Sequence, residues 1–163
     1  MRQTYRVLAS LIALGVLVQA AAVAYGWFQV LGDVEDGSVY SESSSGNAGH
    51  VIHSINGSIV LPVLGLVLLG VSFAAAKEVP RARKWAGIVA GLIFLQFLLA
   101  ALAYSIPAIG ALHGLNALFV LGAAGRAASL TRTSAGAVTA PTAAGIPAQR
   151  SSGSSTTGAD LPG

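Results

Sequence analysis

Four stretches of about 20 residues, each almost free of charge, constrain this chain more than any motif in it. They fall at about 7–31, 51–76, 85–104 and 108–124. A hydrocarbon layer about 30 Å thick is crossed by roughly 20 residues rising about 1.5 Å each. Inside that layer the backbone must satisfy its own polar groups, which a helix does. The expected fold is therefore all-α: an integral membrane four-helix bundle, multi-pass in the cell membrane, spanning residues 1–126. Charged residues make up only 9% of the chain, against about 25% in soluble domains.

The charges also set an orientation. Arg2, Arg6, Lys77, Arg81, Arg83, Lys84, Arg126, Arg132 and Arg150 all fall on one side of a four-span chain. The positive-inside rule then predicts that both termini are cytoplasmic. The basic residues form no aromatic-interleaved face, so no nucleic-acid partner is expected. The outer loop, residues 32–49, holds Asp33, Glu35, Asp36 and Glu42 and no cation; it reads as a solvated connection rather than a metal site. Residues 1–24 allow a second reading. A basic start, an apolar core and the small residues of Gln19–Ala24 resemble a signal peptide. The run is longer than such a core, and Tyr25, Trp27 and Phe28 fall where an interfacial belt belongs, which favours a first transmembrane helix. Pro62 is expected to kink the second helix. Gly87 and Gly91 form a GxxxG pair expected to serve packing inside the bundle, with a homodimer as the alternative. Beyond Arg126 the chain is rich in Ala, Gly, Ser, Thr and Pro. Residues 127–163 bury too little to offset their ordering entropy and read as a disordered cytoplasmic tail.

Within the apolar runs, six polar side chains recur in a pattern. The first and third helices each carry a glutamine followed by small residues and a tyrosine: Gln19 to Tyr25, and Gln96 to Tyr104. The second and fourth each carry His-x-x-Asn near the outer end: His53/Asn56 and His113/Asn116. This suggests two helix pairs in parallel repeat, with His53 and His113 at similar depth.

Polar groups in lipid cost several kcal/mol unless satisfied. One reading is helix–helix hydrogen bonding, which makes the chain a non-catalytic membrane scaffold or accessory subunit. The other is bis-histidine ligation of haem b, which needs two imidazoles on opposite faces of one macrocycle. Gly57 and Ala117, each four residues past a histidine, would leave small faces beside the ligands. Asn56 and Asn116 would bond a haem edge or a neighbouring helix, and Gln19, Gln96 or a backbone carbonyl would accept the second imidazole N–H. His50 lies at the membrane edge. Absence of cysteine excludes disulfides, thiolate metal sites, iron–sulfur clusters and covalent haem attachment. No His-x-His supports a zinc or copper cage, and a quinone pocket stays open as an alternative. No nucleophile elbow, phosphate loop or paired intramembrane carboxylate is present, so enzymatic activity is not expected. The expected role is electron transfer, haem carriage or redox sensing, with a redox partner.

With those residues in place, the chain resembles a half-module of the haem A synthase family. The segment from Gly91 through Gln96, Pro107 and Leu112-His113 to Ala117 is similar to that family's Gln, turn-proline and Leu-His segment. The second helix is similar in outline: an acidic outer loop, a histidine near the start, then a basic turn. The resemblance covers roughly residues 49–126 and implies haem between His53 and His113. The family's Glu-x-x-His has His50 at the Glu position here, its following basic residue is Ser54, and no outer Arg or Lys pairs with propionates. The resemblance therefore implies haem binding and not the family's oxidative chemistry. The outline also matches small four-span bacterial membrane proteins.

Overall fold

The computed structural model describes residues 1–41 and 43–136. Among them the chain is all-helical, with four helices: α1 (Arg2–Glu35), α2 (Ala48–Ala75), α3 (Ala82–Ala103) and α4 (Ile109–Gly136). The first three are each long and apolar enough to cross a membrane. The apolar stretch of α4 is diluted by His113, Asn116 and Arg126.

Local chemistry sets the helix ends. α1 passes the expected stop near Leu31 because Gly32 lies within a continuing helix. It ends at Gly37, whose φ of +93° suits only glycine well. There the Gly37 N–H donates to the Val34 carbonyl and the Ser38 N–H to the Asp33 carbonyl, a Schellman ending. Asn47 starts α2: its side-chain oxygen accepts from the His50 N–H at 3.2 Å. Within α2, residues Asn56–Val60 form a π turn, closed where the Leu61 N–H donates to the Asn56 carbonyl. Pro62 follows. It has no N–H to give, and its ring crowds the carbonyl four residues back, so a wider turn just ahead relieves it.

Each helix packs on its neighbours in sequence, and α4 closes onto α1. α2 and α4 therefore face each other across the diagonal. The core concentrates toward the end that carries the Lys and Arg residues. Tyr5, Ala9, Ile12, Leu68, Ala75, Ala82, Ala86 and Val89 are buried there with Ala124 and Ala127. Many are alanines, which let helix axes approach closely. At this basic end the Tyr5 hydroxyl donates to the Ala82 carbonyl at 3.0 Å, and the N-terminal ammonium lies 3.7 Å from Glu78. Arg126 sits 5.8 Å over the Trp85 ring.

The favoured first helix is in place: Tyr5, Ala9, Ile12, Val16 and Ala22 are all buried in the bundle. Two expectations change. The fourth helix does not stop at Ala124 with a disordered tail from 127. It runs to Gly136 and buries Ala127, Ala128, Leu130 and Thr131. Alanine is the strongest helix former, and its small side chain lets this turn settle against the core. The expected disorder at 137–163, and Glu42, lie outside the described residues. Finally, Gly87 and Gly91 do not serve packing inside the bundle: both are exposed, and a methyl group at either would touch nothing within 4 Å. The close approach is instead at Gly49. A methyl there would lie 2.5 Å from the Ala22 carbonyl oxygen and the Gly26 nitrogen.

Candidate functional site

Each histidine is held by the helix that precedes its own. His53 Nδ1–H donates to the Gln19 carbonyl at 3.3 Å, and His113 Nδ1–H to the Gln96 carbonyl at 3.2 Å. Three residues on, the asparagines repeat the relation. Asn56 donates to the Gly15 carbonyl and Asn116 to the Leu92 carbonyl, both at 2.9 Å. Gly15 lies four residues before Gln19, and Leu92 four before Gln96. The two pairs thus share one register, although 34 residues separate histidine from glutamine in the first pair and 17 in the second. The difference lies in the longer loop between α1 and α2. This repeated geometry accounts for the two-pair pattern in the sequence.

The carbonyl bonds also fix the imidazole chemistry. A carbonyl oxygen only accepts, so each Nδ1 carries a proton, and in the neutral ring that leaves the lone pair on Nε2. The rings meet across the α2–α4 diagonal with centres 6.3 Å apart and planes at 60°. Both are half-buried. They lie where the core thins: α3 has no fully buried residue beyond Ile93, and α4 has none before Asn116. At this level α1 and α2 stay together through Gly26 and Gly49, and α3 and α4 through Gln96, His113 and Asn116.

Of the acceptors expected, backbone carbonyls hold the imidazoles, those of Gln19 and Gln96 rather than the glutamine amides. The Gln96 amide donates to the His113 carbonyl at 2.9 Å and accepts from Asn116 at 2.6 Å. The Gln19 amide lies over Gly57, and its Oε1 is buried with no partner. The small face at Gly57 is therefore taken by Gln19, and Ala117 packs against the core.

His50 stands apart from the pair. Its ring meets Trp27 edge-on, with centres 5.6 Å apart at 79°. It borders a cleft of about 210 Å³ at the acidic end, lined also by Trp27, Tyr40 and Ser44. Beside this cleft the Tyr40 hydroxyl donates to Asp33 at 2.5 Å, which raises the phenol pKa. Sequence reasoning missed Asn47. Besides capping α2, it donates to the Gly26 carbonyl at 2.7 Å and ties that end of α2 to α1. An asparagine just ahead of an apolar helix was the available signal.

Among the described residues, no three His, Cys, Asp or Glu side chains gather in a metal-holding group. Compared with protein-family models, curated proteins and solved structures, the chain matches none.

Proposed function

We propose that this chain is an integral membrane protein that binds one b-type haem through His53 and His113, for electron transfer, haem carriage or redox sensing. The observation that carries the reading is the imidazole pair. A metal–imidazole bond is about 2.0 Å and the ring centre lies about 1.1 Å beyond the nitrogen, so two such ligands in trans hold their centres roughly 6 Å apart. The observed 6.3 Å agrees with that spacing. Each ring has its second nitrogen tied to a carbonyl, the arrangement that orients a ligating histidine and raises its basicity. A porphyrin would supply the four remaining ligands and the redox chemistry. His53 and His113 would hold the iron, Asn56 and Asn116 would fix the depth of the helices that carry them, and His50 would stand toward the acidic surface.

The membrane setting rests on the three long apolar helices and on outward-facing Leu14, Leu66, Phe73, Phe94 and Phe119, all more than half exposed. Large apolar side chains displayed in this number suit lipid contact. Every described Lys and Arg lies toward one end of the bundle, which by the positive-inside rule supports the reading that the termini are cytoplasmic and the histidines lie toward the outer face. Within this reading the resemblance to a haem A synthase half-module extends to haem binding alone.

A specific observation favours the scaffold reading as second. His53, Asn56, Gln96, His113 and Asn116 all bond a backbone carbonyl of the neighbouring helix, which is what helix–helix association needs. Alanine substitution separates the two. With haem, His53→Ala and His113→Ala each abolish the low-spin spectrum, while Asn56→Ala only weakens it. For a scaffold, all three give modest stability losses and no spectral change.

A further inference from the structure

The two halves of the site are built to one plan but are not equally held. At the level of His113, four hydrogen bonds join α3 to α4: His113 to the Gln96 carbonyl, the Gln96 amide to the His113 carbonyl, and Asn116 to both Leu92 and the Gln96 amide oxygen. At the level of His53, two join α1 to α2: His53 to the Gln19 carbonyl, and Asn56 to the Gly15 carbonyl. The bonds missing from the first pair are those of the glutamine side chain. Gln96 Oε1 accepts from Asn116, whereas Gln19 Oε1 is buried and accepts from nothing.

The cause is local. Asn56 begins the π turn that Pro62 imposes, and α4 has neither feature at the corresponding place. A π turn carries one residue more than the α-helix it interrupts, and such turns recur where a helix serves a function. The buried Gln19 oxygen costs free energy as it stands. The second pair shows the arrangement that would satisfy it, an asparagine-to-glutamine bond across the helix pair.

We infer, on the haem reading above, that the two ligands have different duties: His113 is the fixed ligand and His53 the exchangeable one. The inferred site therefore admits a small neutral ligand on the His53 side once the iron is reduced. His53 would be the residue that releases its hold, with the segment from Asn56 to Val60 accommodating the move, and the haem would supply the position that the small ligand takes. His113 stays, because its ring, its carbonyl and the next polar residue of α4 are all tied to α3.

The test uses full-length protein purified with haem, reduced with dithionite and exposed to carbon monoxide, alongside His53→Ala and His113→Ala. The expected results are a carbon monoxide adduct in the wild type, full haem occupancy with a high-spin spectrum in His53→Ala, and loss of haem in His113→Ala. Pro62→Ala removes the cause of the π turn and lets Asn56 reach Gln19. It should slow adduct formation by about 3- to 15-fold, the factor equivalent to one interhelical hydrogen bond. Low-spin haem in the wild type, with both alanine variants losing haem alike or His113→Ala retaining it, would overturn the inference and leave haem binding intact. Absence of low-spin haem from the wild type would overturn both.

Discussion

Asn116→Leu should destabilise the haem-free bundle about twice as much as Asn56→Leu. The substitution keeps the side-chain size and removes the amide. Asn116 gives hydrogen bonds to the Leu92 carbonyl at 2.9 Å and to Gln96 Oε1 at 2.6 Å, and it is 4% exposed. Asn56 gives one, to the Gly15 carbonyl. Interhelical hydrogen bonds in membrane proteins average about 0.6 kcal/mol, with a maximum near 1.7 kcal/mol. Asn116→Leu is therefore expected to cost about 1–3 kcal/mol and Asn56→Leu about 0.5–1.5 kcal/mol. Unfolding in mixed micelles titrated with dodecyl sulfate, followed by helical circular dichroism, gives both numbers. A double-mutant cycle of Asn116→Leu with Gln96→Leu should show coupling of about 0.5–2 kcal/mol, because one bond is shared. Equal costs for the two asparagines, or a larger cost at Asn56, would refute the claim that the second pair is the more tightly held.

Four further outcomes follow from particular contacts. Gly49→Ala should cost about 1–3 kcal/mol by pushing α2 off the α1 backbone, while Gly87→Ala should stay within about 0.5 kcal/mol; the same titration measures both. Tyr5→Phe should cost about 1 kcal/mol through loss of the bond to Ala82. Arg81 holds φ at +66°, so Arg81→Gly should stabilise by roughly 1 kcal/mol, read as a raised unfolding midpoint. Truncation after Arg126, which removes Ala127, Ala128, Leu130 and Thr131 from the core, should lower the midpoint steeply.

Much of the architecture is legible in the amino-acid sequence. The spacing of apolar blocks gives four helices, because few other structures hide a backbone in 20 uncharged residues. The two Gln and His-x-x-Asn sets were readable as a repeat, since polar residues in such blocks are few and costly. What was not legible was set by tertiary contact. The continuation of α4 past Ala124 depends on the fit of Ala127 and Ala128 to the core, and their composition alone suits a tail equally well. GxxxG at Gly87 marks a face that can pack closely; the pattern does not say against what, and the structure leaves it exposed. The role of Gly49 needed the position of Gly26, 23 residues earlier, which only the α1–α2 register supplies. The acceptors for the imidazoles are backbone atoms of Gln19 and Gln96, and a carbonyl has no sequence signature.

The π turn lies between these cases. Pro62 announces a disturbed helix, and its cost must appear somewhere within a turn. That it appears at Asn56–Val60, just past His53, is what makes the two otherwise matched half-sites unequal.

The central claim, haem between His53 and His113, is tested most directly by a reduced-minus-oxidised visible spectrum of the detergent-purified full chain, produced with ample haem. The account predicts a sharp low-spin α-band at about one haem per chain, lost in both His53→Ala and His113→Ala. A flat spectrum from protein that is fully helical would contradict it, leaving the paired histidines as contacts between helices.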